Sequence, residues 1–155
     1  MKKTLFIGIF ILLCFLAYPQ TRAQLDRVFE FDYDLEAVCN ALPDQLSTLK
    51  NKFFIISAST DAIEIINKEP DSFEAKVTVM YGKWDGSSNL KTYKADIYFK
   101  GSDFAKIIPV RPPRDITPDL IVVNRNLTIL CQLTGFTERE GLMIPVFDAY
   151  KVKMQ

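Results

Sequence analysis

Residues 126–152, "NLTILCQLTGFTEREGLMIPVFDAYKV", decide the fold. Apolar side chains occupy every second position in the first half of this stretch: Leu127, Ile129, Cys131 and Leu133. Such alternation is typical of a strand with one buried face. The segment "TEREG" (137–141) then supplies turn residues before a second apolar run begins at Leu142. The sequence therefore predicts two strands joined by a short turn at the end of the chain.

Three more strands are predicted upstream of this pair. The stretch 52–68, "KFFIISASTDAIEIINK", forms either one bent strand or two, whereas "FEAKVTVMYGKW" (73–84) and "TYKADIYFK" (92–100) alternate cleanly. The turn residues "DGSSN" between the latter two predict a hairpin. The four prolines of "IIPVRPPRDITP" (107–118) impose extended or irregular chain before the fourth strand.

An amphipathic helix is predicted ahead of the strands. Its apolar residues recur at steps of mostly three and four: Leu35, Val38, Cys39, Leu42, Leu46 and Leu49. Asp34 can cap the start of this helix. Pro43 either kinks it or begins a second short helix, because proline is tolerated in a first turn but not in a helix interior.

The chain opens with "MKKTLFIGIFILLCFLAYPQTRAQ", two lysines followed by an apolar run and a polar end, which is typical of a secretory signal peptide. We expect cleavage after Ala23 and an exported protein, periplasmic or extracellular, with no stable membrane span after cleavage. A retained leader acting as an anchor stays open. The predicted organisation is a signal peptide (1–23), an extension with the amphipathic helix (24–50) and one strand domain (51–155).

Charge and composition narrow the function. Loss of Lys2, Lys3 and Arg22 with the leader leaves 16 basic against 19 acidic residues, so we do not expect nucleic acid as a partner. The chain contains no histidine, which excludes Ser-His-Asp and Cys-His nucleophile pairs and the usual zinc sites. We therefore expect no enzyme, no cofactor and no metal site.

Five strands with an irregular connection between the third and the fourth is the order of the OB-fold, a Greek-key barrel. The stretch 126–152 resembles the last two strands of the bacterial exported OB-fold proteins grouped as tRNA-anti-like, in which "tvTvkGkctGf" turns into "vvLedc.iv". The resemblance covers residues 50–153, with Gln132 at the family's mid-strand glycine and "PVRPPR" (109–114) in place of its usual connection. The predicted fold is mainly β with an N-terminal α-helix, an OB-fold-like five-stranded barrel. The alternative is a cystatin-like α+β fold.

OB-folds bind oligomers across the outer face of strands two and three. Five side chains expected to point outward there could hold a ligand: Lys76, Trp84, Lys94, Tyr98 and Lys100. An ordinary solvated surface stays open, because Glu74 and Asp96 interrupt the set. Arg111 and Arg114 could present guanidinium groups from a stiff proline-rich segment, or could simply belong to a surface connection.

The predicted function is thus a non-enzymatic extracytoplasmic binding module for a protein, a saccharide or another oligomer. The alternative is a metal-dependent, nuclease-like phosphodiesterase on the same barrel, although its acids are scattered. Cys39 lies on the apolar face of the helix and Cys131 on the inward face of a strand. The two residues either form a disulfide that links the helix to the barrel or stay as two unpaired thiols.

Overall fold

The computed structural model of the chain describes residues 22–41, 43–86 and 88–155. Most of the predicted leader, residues 1–21, lies outside the described residues. Five strands make up the body of the protein: β1 (Phe53–Asn67), β2 (Glu74–Asp85), β3 (Asn89–Lys100), β4 (Asn126–Arg139) and β5 (Leu142–Met154). Short helices accompany them: α1 (Arg22–Val28), α2 (Leu35–Cys39), α3 (Pro43–Leu49), α4 (Ser102–Ala105) and a 3-10 turn (Pro70–Ser72).

The strands close into one barrel in the order β1-β2-β3-β5-β4. All neighbouring pairs are antiparallel except β3 and β5, which pair in parallel at Asp96–Val146 and the next two positions. This is the strand order of an OB-fold, with the short helix α4 between β3 and β4. The predicted fold class is confirmed, and the cystatin-like alternative is not the fold that forms.

β1 is one bent strand rather than two. Its first half, Phe53–Ser59, pairs with β4, and the register with β2 begins at Ser59, opposite Met80. A register shift between Thr60 and Ala62 marks the bend. A single long strand therefore serves both halves of the barrel wall, because the irregularity lets it change partners without ending.

The alternating apolar residues fill the barrel. Four of its largest fully buried side chains are phenylalanines. They are Phe54 on β1, Phe73 directly before β2, Phe99 on β3 and Phe147 on β5. Phe54 and Phe147 meet edge to face across the interior, with ring centroids 5.7 Å apart. The predicted inward row of β4, from Leu127 to Leu133, is fully buried at alternate positions. This confirms the facing of the strand with which the sequence analysis began.

The predicted helix is two helices. Asp34 caps α2 by accepting a hydrogen bond from the Ala37 amide at 2.8 Å, and α3 begins at Pro43. α2 packs its buried Leu35 and Val38 against the barrel core, while α3 contributes Leu49. Among the residues that the structure describes, no helix is both long enough and apolar enough to cross a membrane. The proposed division at residue 50 stays a prediction.

Candidate ligand face on β2 and β3

The outward side chains of β2 and β3 form one continuous face, which we call the β2–β3 face. Their antiparallel register sets them in opposed pairs: Glu74–Lys100, Lys76–Tyr98, Thr78–Asp96, Met80–Lys94, Gly82–Thr92 and Trp84–Leu90. The structure therefore brings together five of the predicted site residues, namely Lys76, Trp84, Lys94, Tyr98 and Lys100. The predicted outward facing of both strands is also the observed one.

Each of the three lysines of this face pairs with a carboxylate of another strand: Lys76 with Glu64, Lys94 with Asp61 (2.7 Å) and Lys100 with Asp148 (2.9 Å). The hydrogen bond that Lys76 donates to Glu64 raises the pKa of Lys76, and the one that Lys100 donates to Asp148 raises the pKa of Lys100. Both ammonium groups thus stay protonated at neutral pH. The face carries fixed charges of both signs and little net charge.

A buried carboxylate lies at the centre of the face. Asp96 points outward from β3 but is only 3% exposed, because Arg139 from the end of β4 lies over it. An Arg139 guanidinium nitrogen donates to Asp96 at 2.5 Å, and the Thr78 hydroxyl donates to the other carboxylate oxygen at 2.8 Å. The sequence placed Asp96 on a solvated surface and did not single out Arg139. The only available signal was an arginine in the "TEREG" turn.

The hairpin end of the face is apolar and exposed. Trp84 is 67% exposed and Leu90, directly opposite on β3, is 51% exposed. A Cβ atom at Gly82 would lie 3.3 Å from the Leu90 side chain, so the glycine gives Leu90 room to lie across the strand pair. The result is an indole ring and an aliphatic side chain presented side by side at the end of a charged face.

A groove of about 510 Å³ continues from this face towards the β4–β5 turn. Its walls come from α2, β3 and the start of β5 and include Cys39, Lys94, Arg139, Leu142 and Met143. Leu142 and Met143 are 65% and 51% exposed. A ligand that crosses β2 and β3 can therefore extend into a space lined by both apolar side chains and the charged Lys94, Arg139 and Glu140.

Arg111 and Arg114 do not belong to the β2–β3 face. They lie on the proline-rich connection between α4 and β4, where both are exposed. Among the described residues neither arginine has an ion-pair partner within 4 Å. Apolar residues of this connection and Ile63 and Ile65 of β1 line a separate groove of about 380 Å³. The two arginines therefore remain candidates without a shared site.

Both described cysteines are free thiols. Cys39 donates a hydrogen bond from its sulfur to the Lys94 carbonyl at 3.5 Å, and Cys131 donates one to the Phe54 carbonyl at 3.9 Å. Burial raises the pKa of Cys39 to about 11 and raises the pKa of Cys131 further. The disulfide predicted as one alternative is not formed, and both sulfurs pack as neutral thiols.

Within residues 22–41, 43–86 and 88–155, no group of three or more His, Cys, Asp or Glu side chains is placed to hold a metal ion. The acids of the barrel are instead distributed singly among the lysines, as in the pairs of Glu64 and Asp61. No observation supports the phosphodiesterase alternative.

No protein-family model matches the chain, and no curated protein matches its sequence. The solved structures that are similar in shape include the following two. One is a small single-stranded DNA-binding protein from Streptomyces coelicolor, with a TM-score of 0.39 and 8% identity over 66% of this chain and 91% of that one. The other is OB4 of the yeast telomere protein Cdc13, with a TM-score of 0.35 and 12% identity over 77% of this chain and 85% of that one. The resemblance to the tRNA-anti-like family stays a prediction.

The expectation that nucleic acid is not a partner is contradicted by this comparison. One of the two similar structures is named for binding single-stranded DNA, and the other is a telomere protein. The expectation relied on the net charge of the whole chain. Net charge describes the average field of a protein, whereas a ligand meets only the charges and rings of one face.

Proposed function

We propose that this chain is a non-enzymatic binding module, exported from the cytoplasm, that holds an extended oligomer across the β2–β3 face. The closed barrel in OB-fold order supports the location, because OB-folds bind oligonucleotides and oligosaccharides across strands two and three. The observation that carries the proposal is the exposed Trp84–Leu90 pair at the end of that face.

Trp84 supplies a flat ring to which a base or a sugar ring can stack. An indole that is 67% exposed has lost little solvent contact on folding, so its position does not serve the core. Stacking of a ligand ring on an aromatic side chain contributes about 1–3 kcal/mol per base. Because every base presents a flat face, this contribution does not require a particular sequence.

The paired lysines predict a weak dependence of binding on salt. A phosphate that approaches Lys76 or Lys94 must replace Glu64 or Asp61, since each ammonium group already has a carboxylate partner. The exchange releases few counterions, unlike binding to free lysines. We expect the slope of log Kd against log salt to have a magnitude below about 1 for a single-stranded oligonucleotide.

Export rests on the N-terminal sequence. The lysines and the apolar run of residues 1–24 support a leader that is cleaved after Ala23, so the exported chain begins at Gln24. The intact mass of the protein recovered from the periplasm or the medium tests this point. A recovered species that retains residues 1–23 would contradict cleavage.

The binding experiment uses the single tryptophan of the chain. We expect single-stranded DNA, RNA or oligosaccharides to change the fluorescence of Trp84 on titration, because a stacked ring replaces water on the indole. Calorimetry then measures Kd for Trp84→Ala, which should weaken binding roughly 5- to 150-fold. Tyr150→Ala is the matched control, since Tyr150 is an exposed ring on β5, outside this face. Binding that is equally weakened by both substitutions, or absent for every oligomer, would contradict the proposal.

A further inference from the structure

We propose that a second surface, on the outward side of β1, β4 and β5, binds an anionic membrane. This surface, the aromatic–lysine face, consists of Phe29, Phe31, Ile55 and Tyr150 with Lys151 and Lys153. It lies outside the β2–β3 face, so the inference goes beyond the proposed ligand site and shares with the proposed function only the export of the chain. Four observations carry it: a chain of rings, their exposure, unpaired lysines and the adjacent apolar run of the sequence.

Four aromatic rings form a continuous chain on this side of the barrel. Phe31 stacks on Phe29 with centroids 5.5 Å apart, Phe29 lies 5.5 Å from Phe53, and Phe53 meets Tyr150 edge to face at 4.9 Å. The backbone fixes the contact between Phe29 and Phe53, since the two residues form a parallel β-bridge in which the Glu30 amide donates to the Phe53 carbonyl at 2.8 Å. The chain of rings therefore runs from the N-terminal segment to the last strand.

The ends of this chain are exposed. Phe31 is 62% exposed and Tyr150 is 55% exposed, and Ile55 between them on β1 is 51% exposed. Apolar side chains clustered in this way, beside a tyrosine, are typical of a surface that enters the interface between lipid headgroups and acyl chains.

The cations of this face are unpaired. Lys151 and Lys153 point outward on β5 beside Phe29, and neither forms an ion pair within the described part of the chain. The nearby acid Glu30 is already bonded to Lys52 at 2.6 Å. Asp26 and Asp32 lie on the same N-terminal segment as Phe29 and Phe31, whereas Lys151 and Lys153 lie on the sheet. The headgroups of an anionic lipid surface attract free ammonium groups, and the apolar region below the headgroups accepts exposed rings.

The sequence argues for a membrane rather than another macromolecule. The apolar run Leu5–Tyr18 ends eleven positions before Phe29, the first residue of this face. During export, before cleavage after Ala23, that run lies in the membrane, so the aromatic–lysine face emerges close to the bilayer surface. The β2–β3 face has no such connection to the run.

The test is co-sedimentation of the exported form of the protein with vesicles of phosphatidylglycerol and phosphatidylcholine, compared with phosphatidylcholine alone. We expect binding to the anionic vesicles that falls as salt rises. Lys151→Glu with Lys153→Glu should weaken it about tenfold or more, because each lysine near an anionic surface contributes roughly a fivefold factor. Phe31→Ser with Tyr150→Ser should also weaken it while leaving the melting temperature near that of the wild type.

Lys68→Glu with Lys106→Glu is the matched control, since it makes the same change in charge at exposed positions outside this face. Binding that the control variant loses equally would overturn the inference, and so would vesicle binding that the face variants retain or that no form shows. Single-stranded DNA binding that the Lys151 and Lys153 variant loses, without vesicle binding, would assign the face to nucleic acid. Trp84→Ala should bind vesicles normally, so failure of the proposed function leaves this test interpretable.

Discussion

The two outward faces of the barrel use the same residue types in opposite ways. On the β2–β3 face, each of Lys76, Lys94 and Lys100 pairs with a carboxylate of another strand, and the central Asp96 is buried beneath Arg139. On the aromatic–lysine face, Lys151 and Lys153 are unpaired and the rings of Phe31 and Tyr150 are exposed. On the β2–β3 face, every lysine already has a carboxylate partner. On the aromatic–lysine face, the unpaired lysines and the exposed apolar side chains are available to a partner.

This difference is not one of stability alone. Exposed ion pairs contribute about 0–1 kcal/mol, so the pairs of Lys76, Lys94 and Lys100 do little to hold the barrel together. Their effect is to cancel the field of the face, which leaves the Trp84–Leu90 end as its distinguishing feature. The unpaired lysines, by contrast, concentrate positive potential beside apolar side chains. The four predictions that follow test this contrast.

The largest effect is expected at Asp96. Asp96→Ala should lower the free energy of unfolding by about 2–4 kcal/mol, because it removes a buried carboxylate and leaves the Thr78 hydroxyl and the Arg139 guanidinium without their partner. Urea denaturation measures the change. Asp61→Ala is the matched control, since its pair with Lys94 is one third exposed or more, and it should cost less than about 1 kcal/mol. Equal losses in the free energy of unfolding for the two variants would show that the buried Asp96 stabilises the protein no more than an exposed ion pair does.

The β-strands were largely predictable from the sequence, because inward positions must be apolar at every second residue. Val77 and Val79 on β2, and Ile97 and Phe99 on β3, follow this rule and are fully buried. The sequence could not distinguish one strand that bends at Thr60 from two separate strands, because a bulge and a turn both interrupt the alternation in the same way.

The sequence predicted which strands carry the candidate site, but it did not predict which acids pair with the lysines of that site. Alternation places Lys76 and Lys94 on one face, yet it does not reveal that Glu64 and Asp61 of β1 lie beside them, since that depends on the register between strands. The burial of Asp96 depends on Arg139, which is 43 positions away in the chain. The free thiols depend on the relative placement of α2 and β4, which spacing does not determine.

A second prediction separates structural rings from available rings on the aromatic–lysine face. Phe29→Ala should cost about 1–2 kcal/mol, because Phe29 contacts Phe53 and links the N-terminal segment to the barrel. Phe31→Ala should cost less than about 0.5 kcal/mol, since that ring is 62% exposed. Chemical denaturation of the two variants measures both values. A cost at Phe31 as large as that at Phe29 would make the exposed ring part of the fold and weaken the membrane inference.

A third prediction concerns the two thiols, one bonded to the backbone of β3 and the other to that of β1. Burial raises the pKa of Cys39 to about 11, so the folded protein keeps a proton that the unfolded chain loses above its thiol pKa near 8.5. The stability from this thiol is complete below about pH 8.5 and is lost as pH rises towards 11. We expect a loss of about 1 kcal/mol per thiol between about pH 8.5 and 9.5.

Cys39→Ala should make this decline with pH shallower and leave the contribution of Cys131. Denaturation curves at pH 7.5, 8.5 and 9.5, roughly spanning the start of thiol ionisation, measure the slope. A slope that is the same with and without Cys39 would contradict the assignment. Thiol titration of the denatured, unreduced chain without residues 1–23 should in addition find both Cys39 and Cys131 reactive, because both are free thiols in the structure.

The smallest effect is expected at Thr60, at the bend of β1. Thr60 lies at the point where β1 leaves β4 and continues along β2, and it is 1% exposed. Its backbone is fully used, because the amide donates to the Arg125 carbonyl at 2.9 Å and the carbonyl accepts from the Asn124 amide at 2.7 Å. Its side-chain hydroxyl is the one buried side-chain polar atom without a hydrogen-bond partner among the described residues.

A buried hydroxyl without a partner destabilises the folded state, since it gives up its bonds to water and receives none in return. Thr60→Val replaces the hydroxyl with a methyl group of similar size and should raise the free energy of unfolding by about 0.5–1 kcal/mol. Thr60→Ser is the control: it keeps the hydroxyl, removes a methyl group and should be destabilising. Thermal and urea denaturation of both variants give the signs. If Thr60→Val destabilises the protein, the Thr60 hydroxyl has a hydrogen-bond partner in the folded state, and the interior at the bend of β1 is polar rather than apolar.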